Sequence, residues 1–379
     1  MTTKINNEQK KLNVPNLRFP EFQGEWKEYR IEDITENISS GRCKSHSSSG
    51  KYNLYGSTGI IGKTNEACYE GNLVLVARVG ANAGSLQILN EPCGITDNTL
   101  IIKPKEVDVQ YIYYFLQHFN LNRLIFGSGQ PLITGGMLKK VKVSLGTIQE
   151  QNKITRLLSV LDERITTQNK IIDKLQSLIK GINQRVFMNN GINYKLGEIS
   201  EIRSGYSGNQ LLSKKGLKVS RIETISGHKV NMERVGYVAP FESSDNYRLQ
   251  VGDILFSNIN SVEYIGNTAF IDKDYDLYHG MNLLRLIPNN MVVIPFYLYL
   301  LLNTNRMLNR FKTVCNKAVS QASINQTELG KTVVQIPDIN AQKQICELYQ
   351  ALYDKLESEK YANSLFQKQK QYLLRQMFI

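Results

Sequence analysis

The residues of this chain best suited to chemistry are hydrogen-bonding side chains set in glycine-rich stretches, and they recur in both halves. SSGRCKSHSSSGK (residues 39–51) carries Arg42, Lys44 and Ser45, and YGSTGIIGKT (55–64) carries Ser57 and Thr58. VARVGANAG (76–84) places Arg78 and Asn82 beside glycines that permit close backbone approach. GSGQ (127–130) supplies Ser128 and Gln130. The second half offers Arg203, Tyr206, Asn209, Gln210, Lys214, Lys215, Lys218 and Arg221, then Ser257, Asn258 and Asn260, then Lys317, Ser320 and Gln321. This is the chemistry of DNA contact. Arginine reads guanine and Asn or Gln reads adenine through paired hydrogen bonds, while Lys and Ser more often hold phosphates. Any one of these residues is equally at home on a solvated surface. Their concentration in loops of both halves carries the weight.

Catalytic constellations are missing. Gly62-Lys63-Thr64 resembles the end of a phosphate-binding loop, but Ser57 stands where the leading glycine is required, with Gly56 one place too early. The apolar residues before it do not read as a strand feeding such a loop, so a glycine-rich turn facing a ligand is the better reading. There is no NPPY or DPPY tetrapeptide, no glycine-rich AdoMet loop and no carboxylate pair suited to a metal-dependent nuclease. The four histidines, His46, His118, His228 and His279, lie far apart and read as surface or loop residues. The five cysteines, Cys43, Cys68, Cys93, Cys315 and Cys346, are odd in number and widely spaced. That argues against a disulfide framework and against a zinc site.

The elements that must position these loops are duplicated. Residues 129–154 return at 320–345, 191 residues later and without a gap. Gln130, Ile133, Leu138, Lys140, Val143, Ile148, Gln151 and Ile154 fall on Gln321, Ile324, Leu329, Lys331, Val334, Ile339, Gln342 and Ile345. Upstream, YRIEDITENISSG (29–41) resembles YKLGEISEIRSG (194–205). GNLVLVARVG (71–80) resembles GDILFSNIN (252–260), a strand entered through a glycine turn. TDNTLIIKP (96–104) resembles GMNLLRLIP (280–288), an apolar run closed by proline, and YIYYFLQ (111–117) resembles FYLYLLL (296–302), a short buried helix. The chain is one unit written twice, with insertions between the shared elements.

Each unit ends in a long helix. Thr147 and Glu150 form a T-x-x-E capping box for the first, and Asp338 after Pro337 caps the second. Ile154, Leu158, Leu161, Ile165, Ile172, Leu175, Ile179, Ile182 and Val186 follow spacings of four and three, with Gln168 the one polar residue on the seam. Asn189, Asn190 and Gly191 supply a stop, so the helix spans 148–188, about 60 Å. The second keeps Ile345, Tyr349, Leu352, Leu356, Phe366, Leu373 and Met377, interrupted by Glu359, Asn363 and Lys370. Such a stripe wants a helical partner, and each helix is the natural partner of the other. Two amphipathic helices packed separately on their own domains are the alternative.

The formal net charge of +12 and pI of about 9.3 favour a polyanionic partner, nucleic acid ahead of membrane. The first residues are polar, without the apolar core of a signal peptide, and the longest apolar stretch, 294–302, is too short to span a bilayer. A cytoplasmic location is expected.

Two variable units, each followed by a long helix opening on PDINAQ (337–342) or GTIQEQ (146–151), resemble the specificity subunit of type I restriction-modification systems. NLRFPEFQGEW (16–26), the YGSTGIIG turn, VGANAG and the closing FQKQKQYLLRQMFI (366–379) share the resemblance, which covers all but about the first 15 residues. Gly146 departs from it, standing where the second helix keeps Pro337, and would loosen the start of the first helix. The resemblance implies an α+β fold of two tandem target recognition domains, of mixed or antiparallel sheet with short helices. Pseudo-twofold symmetry would relate them, and their helices would pair as an antiparallel coiled coil. The expected segments are a tail (1–16), recognition domain one (17–145), spacer helix one (146–190), recognition domain two (191–336) and spacer helix two (337–379). Each domain would read one half of a bipartite DNA site. Two methyltransferase subunits would carry AdoMet and methylate adenine N6, and two restriction subunits would supply ATP- and Mg-dependent cleavage. The chain itself would bind no cofactor or metal and perform no chemistry. The alternatives are a coiled-coil scaffold that binds proteins, or an NTPase.

Overall fold

The computed structural model describes residues 12–43, 49–125, 130–187, 191–317 and 321–379. Lys44, Ser45, Ser128 and Ser320 lie outside the described residues. The chain divides into two compact units, Met1–Lys170 with Lys360–Ile379, and Ile171–Glu359. Each unit therefore takes part of both long helices.

In unit 1, β1 (Lys27–Arg30) and a 3-10 turn lead into β2 (Thr35–Ser40), followed by the hairpin β3 (Tyr52–Gly56) and β4 (Gly59–Thr64). Next come β5 (Leu73–Ala77), β6 (Leu86–Leu89), β7 (Cys93–Ile95) and β8 (Thr99–Pro104), then α1 (Val109–Phe119), α2 (Gly135–Lys139), β9 (Lys142–Leu145) and α3 (Ile148–Val186). Unit 2 repeats the plan with β10 (Ile192–Lys195), α4 (Leu196–Ile199), β11 (Ser200–Ser204), β12 (Leu217–Val219), β13 (Gly236–Val238), β14 (Ile254–Ser257), β15 (Ile259–Asn260), β16 (Thr268–Phe270) and β17 (Leu283–Pro288). It ends with α5 (Pro295–Leu302), α6 (Asn305–Val314), β18 (Asn316–Lys317), β19 (Ala322–Ser323), α7 (Gln326–Gly330), β20 (Val333–Ile336) and α8 (Ile339–Met377).

Each unit is built on a four-stranded antiparallel sheet of matching order, β2-β8-β5-β6 and β11-β17-β14-β16. The central strand is apolar on both faces because both are covered. In unit 1, Val74 and Val76 join Leu100 and Ile102 in the main core, while Leu73 and Leu75 join Cys93, Ile95 and Ile101 in a second layer. In unit 2, Ile254 and Phe256 face one core, and Leu255, Ala269 and Leu283 the other. The turn into each central strand puts Gly71 at φ +99° and Gly252 at φ +98°, a region that favours glycine. The expected α+β architecture, duplicated strands and short buried helices are all present.

The long helices run antiparallel within each unit. In unit 1, Lys370 meets Asp162 at 2.6 Å and Asn363 donates to Asn169 at 2.8 Å. In unit 2, Tyr349 donates to Asn183 at 2.8 Å. Ile154, Leu158, Leu161 and Leu373 are buried in the first core, and Ile179, Ile182 and Ile345 pack against the second. Ile165, Ile172, Leu175, Val186, Leu352 and Phe366 are half-buried, and Leu356 is buried. The polar interruptions have partners too. Lys370 also lies over the Tyr114 ring, and Glu359 pairs with Lys355. The first helix spans Ile148–Val186; Met188 and the expected stop residues Asn189 and Asn190 lie outside the described residues.

The helix starts differ from expectation. Thr147 Oγ1 accepts from Glu150 N at 3.3 Å, but the Glu150 carboxylate does not complete a capping box. It is buried, and it accepts Arg18 Nε at 2.7 Å, Arg18 Nη2 at 2.9 Å and Trp26 Nε1 at 3.1 Å. A Cβ at Gly146 would collide with Glu150 and Trp26, so the glycine makes room for this cluster and does not loosen the helix. Strand register places Gly191, Pro337 and Ala341 where unit 1 has Trp26, Gly146 and Glu150. The two units therefore close one corner with two different sets of residues. In unit 2, Asp338 caps the helix as expected, accepting from Asn340 N and Ala341 N at 2.9 and 3.0 Å.

One residue closes both helix starts in the same way. Gln151 donates to Gly146 O and accepts from Asp108 N, the N-cap of α1. Gln342 donates to Pro337 O and accepts from Ile294 N, the N-cap of α5. Both glutamines are buried, which accounts for their place in the repeat. His279 is not the surface residue expected: it is fully buried, with Nε2 donating to Leu283 O at 3.0 Å. Burial pushes its pKa down to about 4, which keeps the ring neutral at pH 7. Among the described residues no helix is long and apolar enough to cross a membrane.

Candidate nucleic-acid interface

The same pair of segments meets at the end of the central strand in each unit. In unit 1 the chain leaves β5 at Arg78 and lies against residues 130–133. Gly80 N donates to Pro131 O at 3.1 Å, Ile133 N donates to Arg78 O at 2.8 Å, and Val79 bridges to Leu132. In unit 2 the chain leaves β14 at Asn258, Ile324 N donates to Asn258 O at 2.9 Å, and β15 pairs with β19, which pairs with β18. In unit 1 this frame carries Arg78 opposite Ile133 on one segment and Gln130, next to Pro131, on the other; in unit 2 Asn260 and Lys317 both stand opposite Ala322, which adjoins Gln321. Asn82 is exposed in the tight turn that follows, where Gly80 and Gly84 have φ +78° and +88°.

A second shared feature sits at the end of the edge strand. Gly41 and Gly205 each pass so close to the facing backbone, Ile95 and Thr96 or Gly280, that a Cβ would overlap its carbonyl oxygens. Arg42 and Tyr206 follow directly. Arg42 is exposed. Tyr206 stacks on Phe241 with ring centroids 3.9 Å apart and planes 7° from parallel, and Tyr247 stands edge-on to both. Sequence reasoning named Tyr206 but missed Phe241 and Tyr247. No periodic signal links residues so far apart in the chain.

The remaining expected contacts divide by environment. Ser57 and Thr58 form the tip of the β3–β4 hairpin. A strand does precede this turn, contrary to the sequence reading. Gly62, Lys63 and Thr64 then lie in β4 and not between a strand and a helix, so they build no phosphate-binding loop. Asn209, Gln210, Lys214 and Lys215 are exposed on one connecting segment. Lys218 and Arg221 have acidic neighbours, Asp276 at 4.0 Å and Glu223 at 3.5 Å. Arg203 pairs with Glu201 at 2.6 Å. Ser257 is fully buried, and its Oγ accepts from Asn260 Nδ2 at 3.0 Å. It orients Asn260 and does not face a ligand, because the last residue of a covered strand points inward.

The fold also makes a neighbour that the spacing of the cysteines did not suggest. Cys43 and Cys68 approach to 2.8 Å between sulfurs, both as free thiols. Each hangs on β7, through Cys43 N to Ile95 O and through Tyr69 N to Cys93 O. The hydrogen bond to Cys43, with burial, pushes the Cys68 thiol up to about 11, which leaves it a poor nucleophile at neutral pH. Among the described residues no group of three His, Cys, Asp or Glu side chains could hold a metal ion.

The family model for the type I restriction modification DNA specificity domain matches this chain twice, at residues 23–177 and 191–364. The putative type I restriction enzyme MjaX specificity subunit of Methanocaldococcus jannaschii is 44% identical over 150 residues, covering 39% of this chain and 35% of that protein. The MjaVIII specificity subunit of the same organism is 25% identical over 337 residues, covering 80% of this chain and 77% of the relative. The crystal structure of a type I restriction-modification S subunit from M. genitalium shares the fold. Its TM-score is 0.66 at 18% identity, over 97% of this chain and 99% of that one. With both repeats matched, the chain belongs to the family of type I restriction modification DNA specificity domains.

Proposed function

We infer that this chain is the DNA-recognition subunit of a type I restriction-modification complex. Each unit reads one half of a bipartite, asymmetric site. The observation that carries this reading is the repeated frame at the end of the central strand, which holds different polar side chains in the two units. A homodimer would present the same side chains twice and read a palindrome. One chain with two diverged units can read two different half-sites. The net charge of +12 supports a polyanionic partner.

In this reading the paired helices set the gap between half-sites and dock two methyltransferase subunits. Those subunits carry AdoMet and methylate adenine N6 after the base is turned out of the duplex. Two restriction subunits, using ATP and Mg, cleave unmodified DNA. The chain itself contributes binding and orientation. Replacing residues 17–145 with the matching domain of another family member is expected to change one half of the methylated sequence and leave the other intact, read by genome-wide methyladenine mapping. A change in both halves, or in neither, sinks the modular reading.

A further inference from the structure

Arg78 and Asn258 hold the same place in the two units. Each directly follows the buried central strand, β5 or β14. The carbonyl of each accepts from an isoleucine, Ile133 or Ile324, and these isoleucines coincide in the sequence repeat. The backbone frame is therefore constant while the side chain differs in kind.

The two side chains share a second property. Both are half-buried, and each has a buried polar atom, Arg78 Nε or Asn258 Oδ1, with no hydrogen-bond partner among the described residues. Buried polar groups are nearly always paired, so an unpaired one at matched places in both units asks for a reason. Such a side chain can turn to a base edge without giving up an intramolecular bond. Asn260, two residues further on, lacks this freedom, being held by Ser257 Oγ and by Ser261 N. Arginine has the fork that fits guanine N7 and O6, and asparagine the amide that fits adenine N7 and N6.

We propose that Arg78 and Asn258 are matched base-reading residues of the two units, Arg78 taking a guanine and Asn258 an adenine in the major groove. The proposal rests on the DNA-recognition reading above and assigns that reading to two positions.

The test uses the full chain in its methyltransferase complex, with methyladenine mapped genome-wide for Arg78→Asn and Asn258→Arg. Each variant is expected to lower preference for the native base about 5- to 150-fold at one position of one half-site. The other half-site stays unchanged. Native preference in both halves, or altered preference at several positions, overturns the assignment. Arg78→Lys separates base reading from phosphate holding, since lysine keeps the charge and loses the fork. Relaxed discrimination at one base supports the proposal. Native discrimination, or loss of all methylation in both Arg78 variants, overturns it and marks Arg78 as a phosphate contact or a structural residue. If exchange of residues 17–145 moves one half-site while Arg78→Asn moves nothing, this inference fails and the wider reading stands. An exchange that moves neither half refutes the reading itself.

Discussion

Removing one heptad from each long helix, residues 172–178 and 363–369, is expected to shorten the gap between the recognised half-sites by about three base pairs. Seven residues span about 10 Å at about 1.5 Å per residue, and duplex DNA advances about 3.4 Å per base pair along each strand. A whole heptad keeps the apolar seam in phase, which a deletion of four or five residues would not. The contacts of Asp162 with Lys370 and of Asn183 with Tyr349 lie outside the deleted segments, while that of Asn363 with Asn169 is removed with its heptad. Methyladenine mapping of the deletion variant reads the gap directly. An unchanged gap in an active variant would show that the helices do not act as the ruler.

Asp253→Ala is expected to destabilise unit 2 by about 3–5 kcal/mol, the cost of leaving a buried charge uncompensated. Asp253 and Arg285 meet at 2.7 Å with side chains only 3% and 6% exposed. Arg285 stands in β17, opposite Leu255 on one side and Arg203 on the other. Without Asp253 its remaining hydrogen bond among the described residues is a long one of 3.4 Å to Asn246 O. Asp253 also accepts from Gln250 N, closing the turn into β14. The double variant Asp253→Ala/Arg285→Leu removes both charges and is expected to recover much of the loss. Urea unfolding of the full chain followed by ellipticity compares the variants. A single variant that loses less than about 1 kcal/mol would mean that the pair is solvated and that its burial does not matter.

The parts of the fold that were legible in the sequence are those whose signal is periodic or repeated. Buried strands such as β5 and β14 announce themselves as short apolar runs after a glycine. The long helices show spacings of four and three, and the 191-residue repeat matches Ile133 to Ile324 and Gln151 to Gln342 by position alone. The repeat also explains why these residues persist, since they hold the frame and the helix starts. What stayed hidden depends on meetings between residues far apart in the chain. Glu150 fits a capping box locally, yet Arg18 and Trp26 claim its carboxylate from more than 120 residues away. Cys43 with Cys68 and Tyr206 with Phe241 meet only once the sheets form. Ser257 has a residue type suited to DNA, but the covered strand turns it inward. Residue type thus marked the loops correctly as polar and left open which side chains face out.

Long-read mapping of methyladenine in cells with and without the gene shows whether this chain chooses the DNA sequence that is modified. A two-part sequence, with a methyladenine in each half on opposite strands, is expected to disappear when the gene is deleted and to return when it is restored. A methyladenine pattern that is the same in both strains would contradict it.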